Sequence, residues 1–278
     1  MQTDQPESFI SDQEFAAFQQ LIKSLTGIYL SDAKKQLVYG RLRNRVRNLG
    51  LNDFDAYLRL LKSPGQAAEQ QMLIDLLTTN ETYFFREPKH FDFLKNQVLP
   101  ARDPKRPFRV WSAACSTGEE PYSIAMVLAD QLGLAKPINW EIVASDISQR
   151  VVDRAIAGVY ADHRLDGIPA SYVKSYCSKI KEKDETKLEI QPALRDRLRF
   201  KRINLNENLP ELGKFDVIFL RNMLIYFQPE SKIEIARRII KTLVPGGWLL
   251  IGHSESLKDV DPQLKTIAPS IYRFATPL

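Results

Sequence analysis

Apolar residues recur at helical spacing over the first eighty or so positions. Ser11-Asp12-Gln13-Glu14 reads as a capping start, and the apolar residues that follow it are Phe15, Phe18, Leu21, Ile22 and Leu25. Further helices are predicted at residues 31–50, 54–61 and 66–77, each bounded by glycine, proline or capping residues. Four short helices with tight turns predict an N-terminal all-α domain over residues 1–86.

The pattern changes after residue 107, where short apolar runs alternate with amphipathic stretches. Strands are expected at 108–113, 140–145, 198–203, 215–220 and 248–251, and helices at 119–132, 148–158 and 229–243. This alternation predicts an α/β fold with a mostly parallel, doubly wound sheet over residues 108–278. The proline-containing segment 102–107 breaks regular structure, so residues 87–107 are predicted to form a linker.

One stretch departs from the alternation. Residues 175–180 and 187–191 alternate around the charged segment 182–186, which is typical of a hairpin. A small antiparallel β insert is therefore expected at about residues 162–197.

Composition narrows the class of protein. The chain has 278 residues, of which 44% are hydrophobic and 26% charged, as in ordinary globular proteins. Its two cysteines and three scattered histidines predict neither a disulfide framework nor a metal site. The chain has no apolar run of about 20 residues and no signal-peptide pattern, so a cytoplasmic protein is expected. The net charge of +5 is compatible with nucleic acid, acidic membrane or acidic protein partners.

The turn after the first predicted strand is rich in small residues. Ala113, Ala114, Ser116 and Gly118 would let a ligand approach the backbone beside a helix N-terminus. The turn lacks the glycines of the dinucleotide fingerprint. A tight turn with nothing bound explains these residues equally well.

Asp146 ends the second predicted strand, 28 residues after Gly118. An acidic residue there can accept hydrogen bonds from a ribose diol. Taken alone, Asp146 is better explained as an N-cap of the next helix. Together with the small-residue turn, it favours a nucleoside site.

Five segments resemble the CheR-type chemoreceptor methyltransferases, in the same order and over nearly the whole chain. They are TTNETYFFRE (residues 78–87), VWSAACSTGEEPYS (110–123), ASDI (144–147), FDVIFLRNMLIYF (215–227) and GHSE (252–255). The resemblance implies a Rossmann-like sheet that binds S-adenosylmethionine, which becomes S-adenosylhomocysteine. It also implies that the enzyme esterifies glutamate side chains on the cytoplasmic methylation helices of chemoreceptors during chemosensory adaptation.

The resemblance also implies roles for particular residues. Glu120, or its neighbour Glu119, and Asp146 would hold the methionine amine end and the ribose, and Tyr226 would lie beside the methyl group. Our hypothesis is that Arg86 and Tyr226 orient the reacting groups. The residues implied to hold S-adenosylmethionine are Asn80, Thr82, Arg86, Glu120, Asp146, Asn204, Leu205, Arg221 and Asn222. Each has a structural alternative: Arg86 could pair with Glu87 or cap a helix, and Tyr226 could be a core tyrosine.

A glutamate acceptor is consistent with the residues available. The unperturbed pKa of glutamate is about 4.3, so the acceptor is ionised at neutral pH and needs no general base. No base constellation is evident, and His253 has no assigned role.

The second predicted helix carries six basic residues and no acidic one between positions 34 and 47. They are Lys34, Lys35, Arg41, Arg43, Arg45 and Arg47. A charge run of this kind is usually a solvated face. A glutamate-bearing receptor helix is the expected partner of a strongly positive face.

Two rival functions differ from receptor methylation. A nucleic-acid methyltransferase would suit a basic chain, but residues 221–226 lack the Asn/Asp-Pro-Pro-aromatic motif of base methylation. A non-catalytic scaffold that binds S-adenosylmethionine is the other rival function.

The protein is expected to be a monomer. Some relatives bind a receptor C-terminal peptide through the β insert; the glycine-free turn at 182–186 favours an enzyme independent of that peptide.

Overall fold

The computed structural model describes residues 9–134, 139–161, 164–182 and 185–275, without the side chains of residues 182 and 185. The chain divides into two compact units. The helical unit comprises the chain up to Thr79 together with Tyr226–Gln228, and the sheet unit comprises Asn80–Ile225 and Pro229–Leu278.

The helical unit contains the predicted helices. They are α1 (Asp12–Thr26), α2 (Lys35–Asn48), α3 (Phe54–Lys62) and α4 (Ala67–Leu77). The predicted capping box is confirmed, since Ser11 and Glu14 each accept the other's backbone N–H. Phe18, Leu42 and Leu61 are fully buried and lie in the core of this unit.

The segment Tyr226–Gln228, although distant in sequence, belongs to the helical unit. The Tyr29 amide donates to the Tyr226 carbonyl at 2.8 Å, and Ile28 forms an antiparallel bridge with Phe227. The Lys23 ammonium donates to the Gln228 side chain at 2.7 Å. Tyr226 is thus placed by backbone pairing to the end of α1.

The sheet unit is built on a seven-stranded sheet in the order β6-β2-β1-β7-β8-β10-β9. The strands are β1 (Phe108–Ser112), β2 (Trp140–Asp146), β6 (Leu198–Arg202), β7 (Phe215–Leu220), β8 (Leu243–Ile251), β9 (Leu264–Ala268) and β10 (Ile271–Phe274). The pairs β6-β2, β2-β1, β1-β7 and β7-β8 are parallel, which confirms the predicted doubly wound fold. The sequence analysis missed β9 and β10, an antiparallel pair at the sheet edge.

The remaining α-helices of the described residues lie in the sheet unit or lead into it. They are α5 (Lys89–Phe93), α6 (Glu119–Leu132), α7 (Gln149–Ala157), α8 (Ala170–Tyr176), α9 (Pro192–Arg195) and α10 (Pro229–Ile240). Residues 87–107, where a linker was predicted, include α5 and the buried side chains of Phe91, Leu94 and Val98. This stretch therefore contributes to the core.

A second, three-stranded sheet has the order β3-β5-β4. Its strands are β3 (Val159–Ala161), β4 (Cys177–Glu182) and β5 (Glu185–Ile190). The predicted hairpin is confirmed by the antiparallel pairing of β4 with β5. The strand β3 was not predicted, and Lys183 and Asp184 of the charged turn lie outside the described residues. Within the described chain, no helix is both long and apolar enough to cross a membrane.

Candidate functional site at the ends of the parallel strands

The carboxyl ends of the parallel strands bring the implied site residues to one edge of the sheet. The turn 113–118 follows β1, Asp146 ends β2, and Asn204 and Leu205 follow β6. Arg221 and Asn222 come directly after β7, and the motif 252–255 follows β8. Parallel topology therefore gathers residues that are far apart in sequence.

The turn after β1 has an unusual backbone. Ser116 has φ of 48° and Gly118 has φ of 100°, both in the left-handed region. The Ser116 amide donates to Asp146 Oδ2 at 2.9 Å, and its hydroxyl donates to the Asn80 carbonyl at 2.9 Å. A Cβ at Gly118 would lie 2.7 Å from the Tyr160 hydroxyl oxygen, so the turn requires glycine there.

Asp146 links two loops of the site. Besides Ser116, the amide of Ser148 donates to its other oxygen at 3.0 Å. The cap of α7 is Ser148, so the simple N-cap explanation of Asp146 is wrong. The Ile203 amide donates to the Asp146 carbonyl at 2.9 Å, which brings Asn204 and Leu205 beside it. The carboxylate of Asp146 thus accepts one backbone amide on each of its two oxygens.

A buried cluster of three charges lies after β7. The Arg221 guanidinium contacts Glu120 Oε2 at 3.1 Å and Glu87 Oε2 at 3.1 Å, and donates to the Arg86 carbonyl. Glu120 also accepts the Ser112 hydroxyl at 2.7 Å. One guanidinium therefore serves two carboxylates; we call Arg221, Glu87 and Glu120 the Arg221 cluster.

Burial affects the two carboxylates of this cluster differently. Burial raises the pKa of Glu120 above its usual value, more than Arg221 and Ser112 lower it. Burial also acts to raise the pKa of Glu87, but Arg221, the His253 amide and Asn222 outweigh it and the pKa is lowered. Glu87 is thus the main counter-ion of Arg221, and Glu120 carries a poorly compensated charge.

Glu255 organises the loops after β7 and β8. Its Oε2 accepts the amides of Asn222 at 2.9 Å and Gly252 at 2.7 Å, and its Oε1 accepts that of Ile225 at 3.3 Å. Asn222 has φ of 54° and donates through its side chain to Glu87 Oε1 at 3.3 Å. The two loops and the Arg221 cluster therefore form one hydrogen-bonded network.

The segment 80–87 carries Arg86 along the edge of the site. The Arg86 guanidinium donates to the Glu81 carbonyl at 2.9 Å and lies 5.7 Å from the Tyr83 ring centre. The alternative in which Arg86 pairs with Glu87 is wrong, because Glu87 pairs with Arg221. Thr82 is half-buried in this segment. Phe85 and Glu87 have φ of 55° and 58°, so the backbone here is strained on both sides of Arg86.

Glu119 and Glu120 have separate environments. Glu119 is fully buried, contacts Arg164 and accepts the Thr117 hydroxyl at 2.6 Å. Of the two neighbours, Glu120 is the one that the structure joins to Arg221. The sequence motif did not show which of the two glutamates belongs to the site, and the contact with Arg221 selects Glu120.

The remaining implied residues belong to the helical unit. Tyr226 lies there, as do the six basic residues of α2. Lys34, Arg43 and Arg47 are exposed, whereas Lys35, Arg41 and Arg45 are half-buried. Arg41 donates to the carbonyls of Leu77 and Thr78 at 2.9 and 3.0 Å, at the C-terminus of α4. Half of the basic run therefore contributes to the unit's own structure.

Sequence analysis assigned no role to Glu87, Ser112 or Glu255. Glu87 and Glu255 both stand in matched motifs, at 78–87 and 252–255, so the signal was present. Nothing in the motifs, however, indicates that Glu87 contacts Arg221, 134 residues away, or that Glu255 accepts backbone amides from two loops.

Comparison with known proteins agrees with these features. Residues 80–272 match the family described as "CheR methyltransferase, SAM binding domain", and residues 13–78 match "CheR methyltransferase, all-alpha domain". The "Chemotaxis protein methyltransferase" of Escherichia coli (strain K12) is 40% identical over 264 residues, 95% of this chain and 91% of that protein. The protein of that name from Salmonella typhimurium is also 40% identical, over 95% of this chain and 90% of its own length.

A third relative is "Chemotaxis protein methyltransferase 2" of Pseudomonas aeruginosa, which is 39% identical over 98% of this chain and 99% of its own length. Both domains, and nearly the full length of the relatives, are therefore represented. The chain belongs to the CheR methyltransferase family, with an all-α domain followed by a domain that binds S-adenosylmethionine.

Proposed function

We propose that this chain transfers a methyl group from S-adenosylmethionine to glutamate side chains on the methylation helices of chemoreceptors, in the cytoplasm. Family membership and relatives named for chemotaxis support the proposal. The observation that carries it is the Arg221 cluster, in which the buried Glu120 and the partly buried Glu87 share one guanidinium beside the ends of the parallel strands.

The charge of the site fits S-adenosylmethionine. Of the described residues, Arg221 is the only cation within ion-pair distance of Glu120. Arg221 also contacts Glu87, so its charge is shared between two carboxylates. A ligand that carries an ammonium group would compensate this excess of negative charge. The Asp146 carboxylate at the end of β2 is the kind of acceptor that ribose hydroxyls require, and Asn204 and Leu205 lie beside it.

Other residues of the sheet unit complete the proposed cofactor site. Asn80 is joined to Asp146 through Ser116, and Asn222 is joined to the Arg221 cluster through Glu87. Thr82 and Arg86 follow Asn80 in the chain. When bound, S-adenosylmethionine supplies a methyl group activated by its sulfonium.

The chain's own residues then have a task of positioning rather than proton transfer. A glutamate acceptor is ionised at neutral pH, so no residue needs to remove a proton. Alignment of the reacting groups contributes about 7–11 kcal/mol in favourable cases. We assign this alignment to Arg86, whose guanidinium stays close to the backbone of its own segment, and to Tyr226.

We assign receptor docking to the basic run of α2, from Lys34 to Arg47. Its exposed members, Lys34, Arg43 and Arg47, form the part that faces solvent. Lys35, Arg41 and Arg45 keep contacts within the unit, namely with Asp12, the α4 C-terminus and Glu69. Complementary charge of this kind mainly accelerates encounter with an acidic helix.

The test is transfer of labelled methyl from S-adenosylmethionine to a purified receptor cytoplasmic fragment, followed by alkaline treatment. Label released by base shows a carboxyl ester, and peptide mapping places it on glutamate. Arg86→Ala and Tyr226→Phe are expected to lower turnover while thermal unfolding stays unchanged. Arg43→Glu should slow methylation at low salt, whereas Lys62→Glu, an equal charge change at an exposed position of α3, should not.

Binding of S-adenosylmethionine without labelling of any receptor fragment would contradict the substrate assignment. Base-stable label would contradict the ester. Wild-type turnover in both Arg86→Ala and Tyr226→Phe would contradict their assignment as orienting residues.

A further inference from the structure

Glu87 of the Arg221 cluster also lies close to two histidines, His90 and His253, whose chemistry the proposed function does not use. Glu87, His90 and His253 each offer one ligand atom, and these atoms all lie within 4.8 Å of one another. His90 Nδ1 is 3.4 Å from Glu87 Oε2, and His253 Nε2 is 3.9 Å from the same oxygen. The His90 and His253 rings stand edge to face, with centroids 5.1 Å apart.

Ser270 holds one nitrogen of the buried His90 ring. The Ser270 hydroxyl oxygen lies 2.8 Å from His90 Nε2 and 2.6 Å from the Pro269 carbonyl oxygen. This contact engages Nε2 and leaves Nδ1 as the ring nitrogen that lies near Glu87.

His90 Nδ1 has no hydrogen-bond partner in the described chain. His90 is only 1% exposed, and this nitrogen is among the buried polar atoms without a partner. It lies 3.4 Å from a carboxylate oxygen of Glu87. A buried polar atom without a partner is costly, and a cation bound between Nδ1 and the carboxylate would satisfy both groups.

We propose that Glu87, His90 and His253 form a binding site for a divalent transition-metal ion of the zinc class. The ligands are His90 Nδ1, His253 Nε2 and a Glu87 carboxylate oxygen, a set of two imidazoles and one carboxylate that suits zinc. Zinc–ligand bonds of about 2.0–2.1 Å place tetrahedral ligands about 3.4 Å apart. The His90–Glu87 separation already has this value.

The surroundings support such a site. His253 has a half-exposed side chain, so it can turn to close the remaining separation and gives solvent access to the ion. Ser270 holds the second nitrogen of His90, as outer partners of metal-binding histidines do. Three protein ligands leave a coordination position for water.

Nearby charges indicate how firmly the ion is held. Arg221 donates to the same Glu87 oxygen and opposes a second cation, while the carboxylates of Glu120 and Glu255 lie in the same hydrogen-bonded network. The ion shares Oε2 with a guanidinium, so the site favours an exchangeable metal over a permanent structural one.

The first measurement is calorimetric titration of the chelator-treated full chain with zinc chloride. One equivalent is expected to bind, and His253→Gln, which removes the half-exposed ligand, should weaken binding about tenfold or more. The matched control is His163→Gln, which removes the chain's third histidine and keeps all three proposed ligands. Circular dichroism verifies that both variants are folded.

Two spectroscopic readouts are independent of the variants. In nitrogen-15 spectra, zinc should shift His90 Nδ1 and leave Nε2 protonated. Cobalt(II) should give the absorption of a nitrogen- and oxygen-ligated ion, without thiolate charge-transfer bands from Cys115 or Cys177. Absence of zinc binding, equal affinity in His253→Gln and His163→Gln, thiolate bands, or an unshifted Nδ1 would each overturn the proposal. None of these measurements depends on methyl transfer.

Discussion

Each unit of this protein pairs an arginine with at least one carboxylate, and the two arrangements differ in their charge balance. In the helical unit, Arg45 contacts Glu69 through two nitrogens, and Tyr57 donates to the same carboxylate at 2.7 Å. In the sheet unit, Arg221 serves both Glu87 and Glu120. The first group is neutral overall and the second carries one excess negative charge.

The pKa shifts follow this difference in balance. The hydrogen bond from Arg45 outweighs burial and lowers the pKa of Glu69. Burial outweighs the contact with Arg221 and raises the pKa of Glu120. A balanced ion pair stabilises the fold, whereas an uncompensated buried carboxylate indicates a place prepared for a cationic ligand.

Removal of the arginine should give the largest effect. Arg221→Met leaves two buried carboxylates without a cation and should cost about 3–5 kcal/mol of stability. Arg45→Met leaves one carboxylate that keeps Tyr57, and should cost about 1–3 kcal/mol. Urea unfolding at neutral pH measures both, and a larger loss in Arg45→Met would contradict the assigned charge balance.

Neutralising one carboxylate in each unit should give effects of opposite kind. Glu69→Gln loses a charge-assisted hydrogen bond and should destabilise by about 1–3 kcal/mol. Glu120→Gln removes a charge that burial disfavours, so stability should stay within about 1 kcal/mol of wild type or rise.

The affinity of the same two variants for S-adenosylmethionine completes the comparison. Glu120→Gln should weaken binding about tenfold or more, which corresponds to about 1.4 kcal/mol. Glu69→Gln should leave it unchanged once the protein is folded. Unaltered affinity in Glu120→Gln would remove the main support for the cofactor site.

The contributions of Glu69 and Glu120 to folding stability should change with pH in opposite directions. Glu69 has a lowered pKa, so its contribution to stability is present above its unfolded pKa and is lost as pH falls through the folded pKa. Glu120 has a raised pKa, so its contribution is lost as pH rises above the ordinary value of 4.5 and through the folded pKa.

Ligand affinity should follow the protonation of Glu120. As pH falls through its raised pKa, Glu120 becomes neutral and binding of S-adenosylmethionine should weaken. Calorimetry between pH 8 and about pH 5 measures this, with Glu120→Gln as the control whose profile should be flatter. Parallel profiles for the two proteins would assign the titration to another group.

Two glycines, one in each unit, should respond to alanine with opposite signs. A Cβ at Gly252 would lie 2.5 Å from the Asn222 side-chain nitrogen and 2.8 Å from Glu255 Oε2, so Gly252→Ala should destabilise by about 1–3 kcal/mol. A Cβ at Gly40, inside α2, meets nothing within 4 Å, so Gly40→Ala should stabilise by about 0.5–1 kcal/mol. Thermal unfolding of both variants measures the sign of each change in stability. A stabilising Gly252→Ala would show that the loop after β8 is not tightly packed.

Local patterns were sufficient to predict most elements. The helices α1 to α4 have clear apolar periodicity, and the central strand β7 is mostly a run of apolar residues. The strand β3 has only three residues and the edge pair β9-β10 lacks strong apolar alternation, so neither was found. Their pairing comes from neighbouring strands rather than from their own sequence.

The amino-acid sequence by itself determined the order of the elements, the α/β class, the family motifs and the position of Asp146 at a strand end. Only the tertiary structure decided that Glu87 and Glu120 share Arg221, that Glu255 accepts amides from two loops, and that His90 Nδ1 faces a carboxylate. The physical reason is the separation in sequence of the groups that interact. Helical periodicity and capping depend on residues a few positions apart, whereas charge balance and burial depend on groups that only the folded sheet brings together.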